Sequence, residues 1–257
     1  MQASLRLRRD GSEVDLVRPA TIRRMTSATS RPAHEVEAWL RRRCHTETGP
    51  YLRPFAPNER WWAARVFVVG TNPATPLREE FASFDAYWQG LTTDIPAFMR
   101  IYRSMHGRGE SRTTARVRKF VHALKPLDVL VCNAYAHPAP RKEQIPNRRA
   151  AAEVGREIFE RLYEHCHPDA ILLHGAEAVR LANEVFDVSP DVRVPLEAQT
   201  TTVDGGRTRV YALPHLSGMG APRGFAVRGM DDALGRLAVR ILDAARPADA
   251  TDGATGA

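Results

Sequence analysis

Arg65–Ala74 reads RVFVVGTNPA, a short apolar run that stops abruptly at Gly70, Asn72 and Pro73. Val, Phe, Val and Val follow one another without polar alternation, as in a strand covered on both faces, and such strands belong to parallel sheets. Open parallel sheets bind ligands beyond the C-terminal ends of their strands, which makes Gly70–Ala74 a candidate site loop. Two later stretches repeat the pattern: Val129–Pro138, VLVCNAYAHP, and Arg209–Gly218, RVYALPHLSG. A fourth apolar run covers Ala170–Leu173.

Between these runs the apolar residues recur at helical spacing, near His34–His45, Ile95–His106, Thr113–Leu124, Arg148–His165, Glu177–Phe186 and Met230–Ala244. Each of the later three strands follows a helix, so the order strand, helix, strand predicts parallel pairing with helices on both faces. The expected fold is a three-layer α/β/α sandwich around a central, mainly parallel four-stranded sheet, occupying residues 31–245. Residues 1–30 hold LRLRRD and TIRRMTSATS without a sustained apolar face, and are expected to form a basic, mobile arm. The small, polar stretch 246–257 is expected to be a disordered tail.

A chain of 257 residues with 43% hydrophobic residues can bury a full core. It has no apolar run near the ~18 residues that span a bilayer and no signal-peptide core, so a cytoplasmic protein without a membrane partner is expected. The net charge of +7 and the pI near 9.8 suit a polyanionic partner. Lys119, Lys125 and Lys142 are the only lysines, so the basicity is almost all arginine, and scattered surface arginine would give the same balance. Arg78, Arg141, Lys142 and Arg223 nevertheless fall in loops at the expected active edge. Cys44, Cys132 and Cys166 form no C-x-x-C pair, and His165, Cys166 and His167 sit where a helix stops before Pro168, a place that favours His without any metal. No metal and no other cofactor is expected.

Gly70, Asn72 and Pro73, then His215, Leu216, Ser217, Gly218 and Met219, resemble the two active-site motifs of the uracil-DNA glycosylase superfamily, which read G-x-N-P or G-x-D-P and H-P-S or N-P-S followed by an inserted apolar side chain. Asn133 and Ala134 are similar to the segment whose Asn reads the edge of uracil. The resemblance spans roughly residues 66–224. It implies a monomeric glycosylase that extracts a base from DNA, single- or double-stranded, and hydrolyses the N-glycosidic bond to leave an abasic site. Some branches carry an iron-sulfur cluster, whose ligands three scattered cysteines cannot supply.

The roles it implies follow from the chemistry. Asn72 would orient a water through its amide oxygen but cannot take that water's proton as an ionised Asp would, as in the mismatch-specific and single-strand-selective branches, so slow turnover is expected. His215 would donate to the carbonyl oxygen of the departing base. Thr71, Ala74, Phe84 and Asn133 would bind the base, Phe84 by stacking and Asn133 by one donor and one acceptor. Phe84 and Trp88, at i and i+4, would equally suit one packed helix face. Ser217, Gly218 and Met219 would press the DNA backbone and wedge the vacated stack, with Arg78, Arg141, Lys142 and Arg223 on the DNA. The strict uracil branch has Tyr directly after the motif Pro, so Ala74 implies a more open pocket that admits thymine, 5-substituted uracils or hypoxanthine.

One departure is Leu216 in place of Pro, which frees φ and adds an N–H, so a shifted or less rigid serine loop is expected. That departure and Asn72 keep open an alternative, a nucleic-acid-binding protein on the same fold with weak or no catalysis. A hydrolase of free nucleosides would need neither Met219 nor the basic loops. Gly218, Gly220 and Gly224 have the wrong spacing for a dinucleotide fingerprint, and neither a G-x-S-x-G elbow nor a P-loop lysine is present.

Overall fold

In the computed structural model, which describes residues 32–105, 110–218 and 227–245, the run after Arg65 becomes strand β1 (Val66–Gly70), buried along its whole length. Strand β2 (Val129–Asn133) pairs with one side of β1 and β3 (Ala170–His174) with the other, both parallel. The short β4 (Thr202–Val203) is antiparallel to β5 (Thr208–Leu213), which in turn pairs parallel with β3. The order is β2-β1-β3-β5-β4 in a five-stranded sheet. The expectation of four strands is corrected by β4. Two residues are too few to show alternation, and the turn after them uses positive φ at Asp204, Gly205 and Gly206.

The four parallel strands send alternate residues to opposite faces, as the pleat requires. Phe67, Val69, Leu130, Cys132, Ile171, Leu173, Val210 and Ala212 share a core with α1 (Ala33–Cys44), α2 (Phe84–Thr92), α5 (Arg148–Cys166) and α6 (Ala176–Phe186). Phe98 of α3 (Ile95–Met105) joins the same core. Val66, Val68, Val129, Ala170, Leu172, Tyr211 and Leu213 pack against Phe120 of α4 (Arg112–Ala123) and Met230, Leu234, Leu237 and Ile241 of α7 (Val227–Ala245). Helices therefore cover both faces of a mostly parallel sheet. Among the described residues no helix is long and apolar enough to cross a membrane.

Local chemistry starts the helices where the chain needs them. Ser83 Oγ accepts the Ala86 N–H at 3.1 Å and Ser111 Oγ accepts that of Thr114 at 3.1 Å. Asp94 and Asn147 do the same for Ala97 and Ala150. Each such cap contributes about 1 kcal/mol. Helix α2 adds to those expected from periodicity. Its buried face is built from Phe84, Tyr87, Trp88 and Leu91 around Gly90; the aromatics and Gly90 have weak helix propensity, so the Ser83 cap and tertiary burial carry it.

The connection out of β1 leads to β2 on one side, whereas the connection out of β3 leads to β5 on the other. The sheet thus reverses its winding between β1 and β3, the place where open α/β sheets hold ligands beyond the C-terminal ends of their strands. Gly70, Thr71 and Asn72 leave β1 at that point. His174 and Gly175 leave β3 beside them.

Candidate functional site at the ends of β1 and β3

Gly70 stands in register with Asn133 of β2. A Cβ built on Gly70 would lie 2.8 Å from Asn133 Oδ1 and 2.9 Å from both Cε1 and Nε2 of His174. Glycine is therefore what lets the amide and the imidazole close over the end of β1. On the other side Gly175, at φ 93°, brings His215 in: a Cβ there would meet His215 Cδ2 at 3.2 Å and Thr71 Oγ1 at 3.7 Å. The His174 and His215 rings are 5.3 Å apart between centroids. Of the residues expected from sequence, Asn133 lies at Gly70 and His215 lies with Thr71 at Gly175, Asn72 follows in the same loop, and Ala74 lies exposed just beyond.

The loop after β1 is held by its neighbours rather than by its own hydrogen bonds. Ala134 and Tyr135 N–H groups donate to the Gly70 and Thr71 carbonyls, each at 2.9 Å, and the Ala139 N–H donates to Pro73 at 2.8 Å. Arg53, 6% exposed, lies beside the stacked rings of Phe98 and Tyr102 and donates from Nη2 to the Thr75 carbonyl at 2.6 Å. Arg53 carries no motif signal, and only the fold reveals that it ties the site loop to the core.

Asn72 Nδ2 donates to the Ala139 carbonyl at 2.7 Å and to Pro73 at 3.0 Å. Both partners accept only, so the atom facing them must be the NH2 and the flip of the amide is assigned. Oδ1 is left as the acceptor that faces away from that pair. The Asn133 amide makes no hydrogen bond among the described residues, so it can offer both its donor and its acceptor to a ligand.

The two histidines differ in how they are held. His215 Nδ1 accepts the Ser217 N–H at 3.3 Å and lies 2.8 Å from Ser217 Oγ. A backbone N–H can only donate, so neutral His215 carries its proton on Nε2. Burial holds its pKa below the ordinary 6.5. His174, 4% exposed, has a buried Nδ1 without a partner, and burial, then the nearby His215, pushes its pKa down to about 3. Sequence reading passed over His174 because its apolar run was ended at Leu173. The same signal as in β1, an apolar run closing on a polar residue and a glycine, marks it.

His174 gives the fold a defined acid sensitivity. The unfolded chain takes a proton on this ring near pH 6.5 and the folded chain does not until about pH 3. Its contribution is present in full above 6.5 and is lost as pH falls through that window, with a slope of at most about 1.4 kcal/mol per pH unit. Urea midpoints measured from pH 7 to pH 4 should fall less steeply for His174→Leu than for the unsubstituted chain. Parallel curves would place the acid sensitivity in other groups.

Leu216, expected to loosen the serine loop, is held at both its side chain and its carbonyl. It is fully buried in the core under α4 and α7, and its carbonyl accepts from Nη1 of Arg116, itself paired with Asp231 at 3.0 Å. Burial and this anchor supply the rigidity that proline would have given. Gly218, at φ 88°, closes the turn by donating its N–H to the His215 carbonyl at 2.8 Å.

Three of the expected site residues are engaged by the chain itself. Phe84 is not a free stacking platform: His45 stacks on one ring face at 4.6 Å and Tyr51 packs edge-on at 5.1 Å, the cost of sitting in the first turn of α2 against α1. Arg78 lies over the Tyr51 ring and donates to the carbonyls of Thr46, Glu47 and Gly49, so its guanidinium is spent on the chain. Lys142 is paired at 2.9 Å with Glu177, which also takes hydrogen bonds from Tyr135 and Arg180. Burial alone would raise the Glu177 carboxyl, and those three donors outweigh it and hold it low. Arg141 is exposed, whereas Met219 and Arg223 lie outside the described residues.

Arg148 and Arg149, which carried no signal in the sequence, are exposed on a groove of about 620 Å³ beside Tyr135. A second groove, of about 930 Å³, is lined by Arg60, Arg100 and Asp128 at the opposite, N-terminal end of the strands. None of Asn72, Asn133, His174 and His215 lines it.

Among the described residues no group of three or more His, Cys, Asp or Glu could hold a metal ion. Cys44 and Cys132 are buried, which pushes their thiols above the ordinary range, and Cys166 donates to the Trp61 carbonyl. His165 packs on Trp61, so the His165–Cys166–His167 stretch serves packing at the end of α5. A scan against protein-family models finds no match, and a search of curated proteins finds none.

Proposed function

We propose that the chain is a DNA glycosylase of the uracil type, hydrolysing the N-glycosidic bond of a flipped uracil or related base. The observation that supports this reading is that three separate motif-like segments bring Asn133 to Gly70, two residues before Asn72, and His215 to Gly175 beside Thr71, where the sheet reverses. Asn72 Oδ1 accepts from a water and aims it at the sugar carbon. Asn133 reads the base edge. His215 donates from Nε2 to the carbonyl oxygen on which charge gathers as the base leaves, and a neutral donor already in place needs no reorganisation there. Thr71 stands beside His215. Arg141, Arg148 and Arg149 are the exposed cations that suit a phosphate backbone beside it. The chain acts as a monomer and needs no metal.

The test is single-turnover incubation with end-labelled oligonucleotides bearing uracil, G·U, G·T or hypoxanthine, followed by alkaline cleavage at abasic sites. Cleavage that Asn72→Ala suppresses supports the reading. That Asn72 offers no proton acceptor favours a second one, a DNA-binding protein without catalysis, and tight binding with no cleavage of any substrate would select it.

Ala74 leaves the position beside the motif proline open. Ala74→Tyr should cut thymine excision roughly 10- to 200-fold relative to uracil, the scale on which a pocket discriminates one methyl group. Unchanged ratios would show that the base does not pass this side chain.

A further inference from the structure

We propose that His174 is a specificity-determining residue of this site, presenting to the lactam edge of the base an imidazole nitrogen that serves as donor or acceptor as the base requires. The inference rests on the glycosylase reading and adds a residue that its mechanism leaves unused.

Position comes first. The His174 ring and the Asn133 amide converge on one point above Gly70, where its Cβ would stand, with Nε2 at 2.9 Å and Oδ1 at 2.8 Å from it, at the C-terminal ends of the strands where the sheet reverses. A ligand read by Asn133 therefore meets the same edge of His174. The second observation is that the ring is 4% exposed and its Nδ1 is buried without a partner. Buried polar atoms are bonded as a rule, and here no described residue bonds either ring nitrogen; Nε2, the one on the Asn133 side, is the nitrogen left for a ligand.

The contrast with His215 defines what that ligand sees. Ser217 pins His215 as the Nε2–H tautomer. Nothing among the described residues pins His174, so its Nε2 can present an N–H to a carbonyl oxygen or a lone pair to an N–H. Burial keeps the ring uncharged, which suits a neutral heterocycle and not an anion. Uracil, thymine and hypoxanthine share the adjacent N–H and C=O of a lactam in rings of different size and substitution. A fixed amide and an adaptable imidazole together accommodate that set, whereas two fixed groups would hold to one member.

The experiment has two arms on the full chain. In the first, single-turnover excision of uracil and hypoxanthine is compared for the unsubstituted chain, His174→Leu and His174→Gln. The uracil to hypoxanthine ratio should change about tenfold in His174→Leu, the scale of one lost hydrogen bond, and less than about threefold in His174→Gln, which keeps a donor and an acceptor. In the second, ring nitrogens of ¹⁵N-histidine-labelled protein are followed as free uracil or hypoxanthine is added. His174 should show mixed tautomers without base and shift towards one with it, while His215 stays Nε2–H. If the unsubstituted chain excises bases but His174→Leu leaves the ratio unchanged, or free base leaves the His174 nitrogens unmoved, the inference fails and the glycosylase reading stands. If the chain excises nothing, that reading fails, and the nitrogen shifts alone decide whether His174 meets a base.

Discussion

Gly155→Ala is expected to destabilise the chain by about 3 kcal/mol or more, although it exchanges the poorer helix former for the best one. Gly155 lies within α5, where its missing Cβ would fall 2.0 Å from the Ala134 carbonyl oxygen and 3.2 Å from Tyr135 Cα. Those are backbone atoms, and they cannot turn away as a side chain would. Their amides already donate to Gly70 and Thr71, so the segment is pinned from the far side. Relief requires α5 to lift or both bonds to break, and either outcome displaces Asn133. The helical gain of Ala over Gly, about 1 kcal/mol, is too small to offset this. Gly235→Ala in α7 is the internal control. Nothing lies within 4 Å of its Cβ position, so the same exchange should stabilise by up to about 1 kcal/mol. Urea midpoints of the two variants should move in opposite directions. Equal shifts would show that α5 does not approach the Asn133–Tyr135 segment in this way.

The frame around that contact was legible because unbroken apolar runs have few solutions. Val66–Val69 and Ala170–Leu173 each needed a partner on both sides and on both faces, and a parallel sheet between helices supplies all four. The ends of the runs carried the site, since Gly70, Asn72, Asn133 and His215 are polar or small groups placed where an apolar strand stops. What could not be read was partnership. Arg78 and Arg141 look alike in sequence, yet Arg78 is bonded to three carbonyls and Arg141 is exposed. Lys142 met a carboxylate on a helix 35 positions later, a contact made only by the fold. Phe84 matched a spacing, but its ring face was taken by His45 from the end of α1. The burial of Leu216 depends on α4, about a hundred positions earlier, and on α7, so its anchoring is a product of the fold.

His215→Ala should lower single-turnover excision about 10²- to 10³-fold while leaving the urea midpoint close to that of the unsubstituted chain. The size follows from geometry: removing one oriented donor at an oxygen that becomes anionic costs about 3 kcal/mol, more than a hydrogen bond to a neutral group, because the charge appears in the transition state alone. The ring is half-buried and contacts chiefly Ser217 and His174, so its loss leaves the cores intact. The pH profile separates this role from simple packing. The neutral ring donates from Nε2 only while Nδ1 accepts from Ser217, and burial lowers the pKa at which that arrangement is lost. The acid limb of the rate should therefore be centred below the ordinary histidine value. His215→Ala should lose that acid limb together with its rate. An acid limb centred at or above 6.5 would mean that His215 takes up a proton as readily as a solvated histidine. The neutral donor would then have to be abandoned, even if Asn72 proved essential.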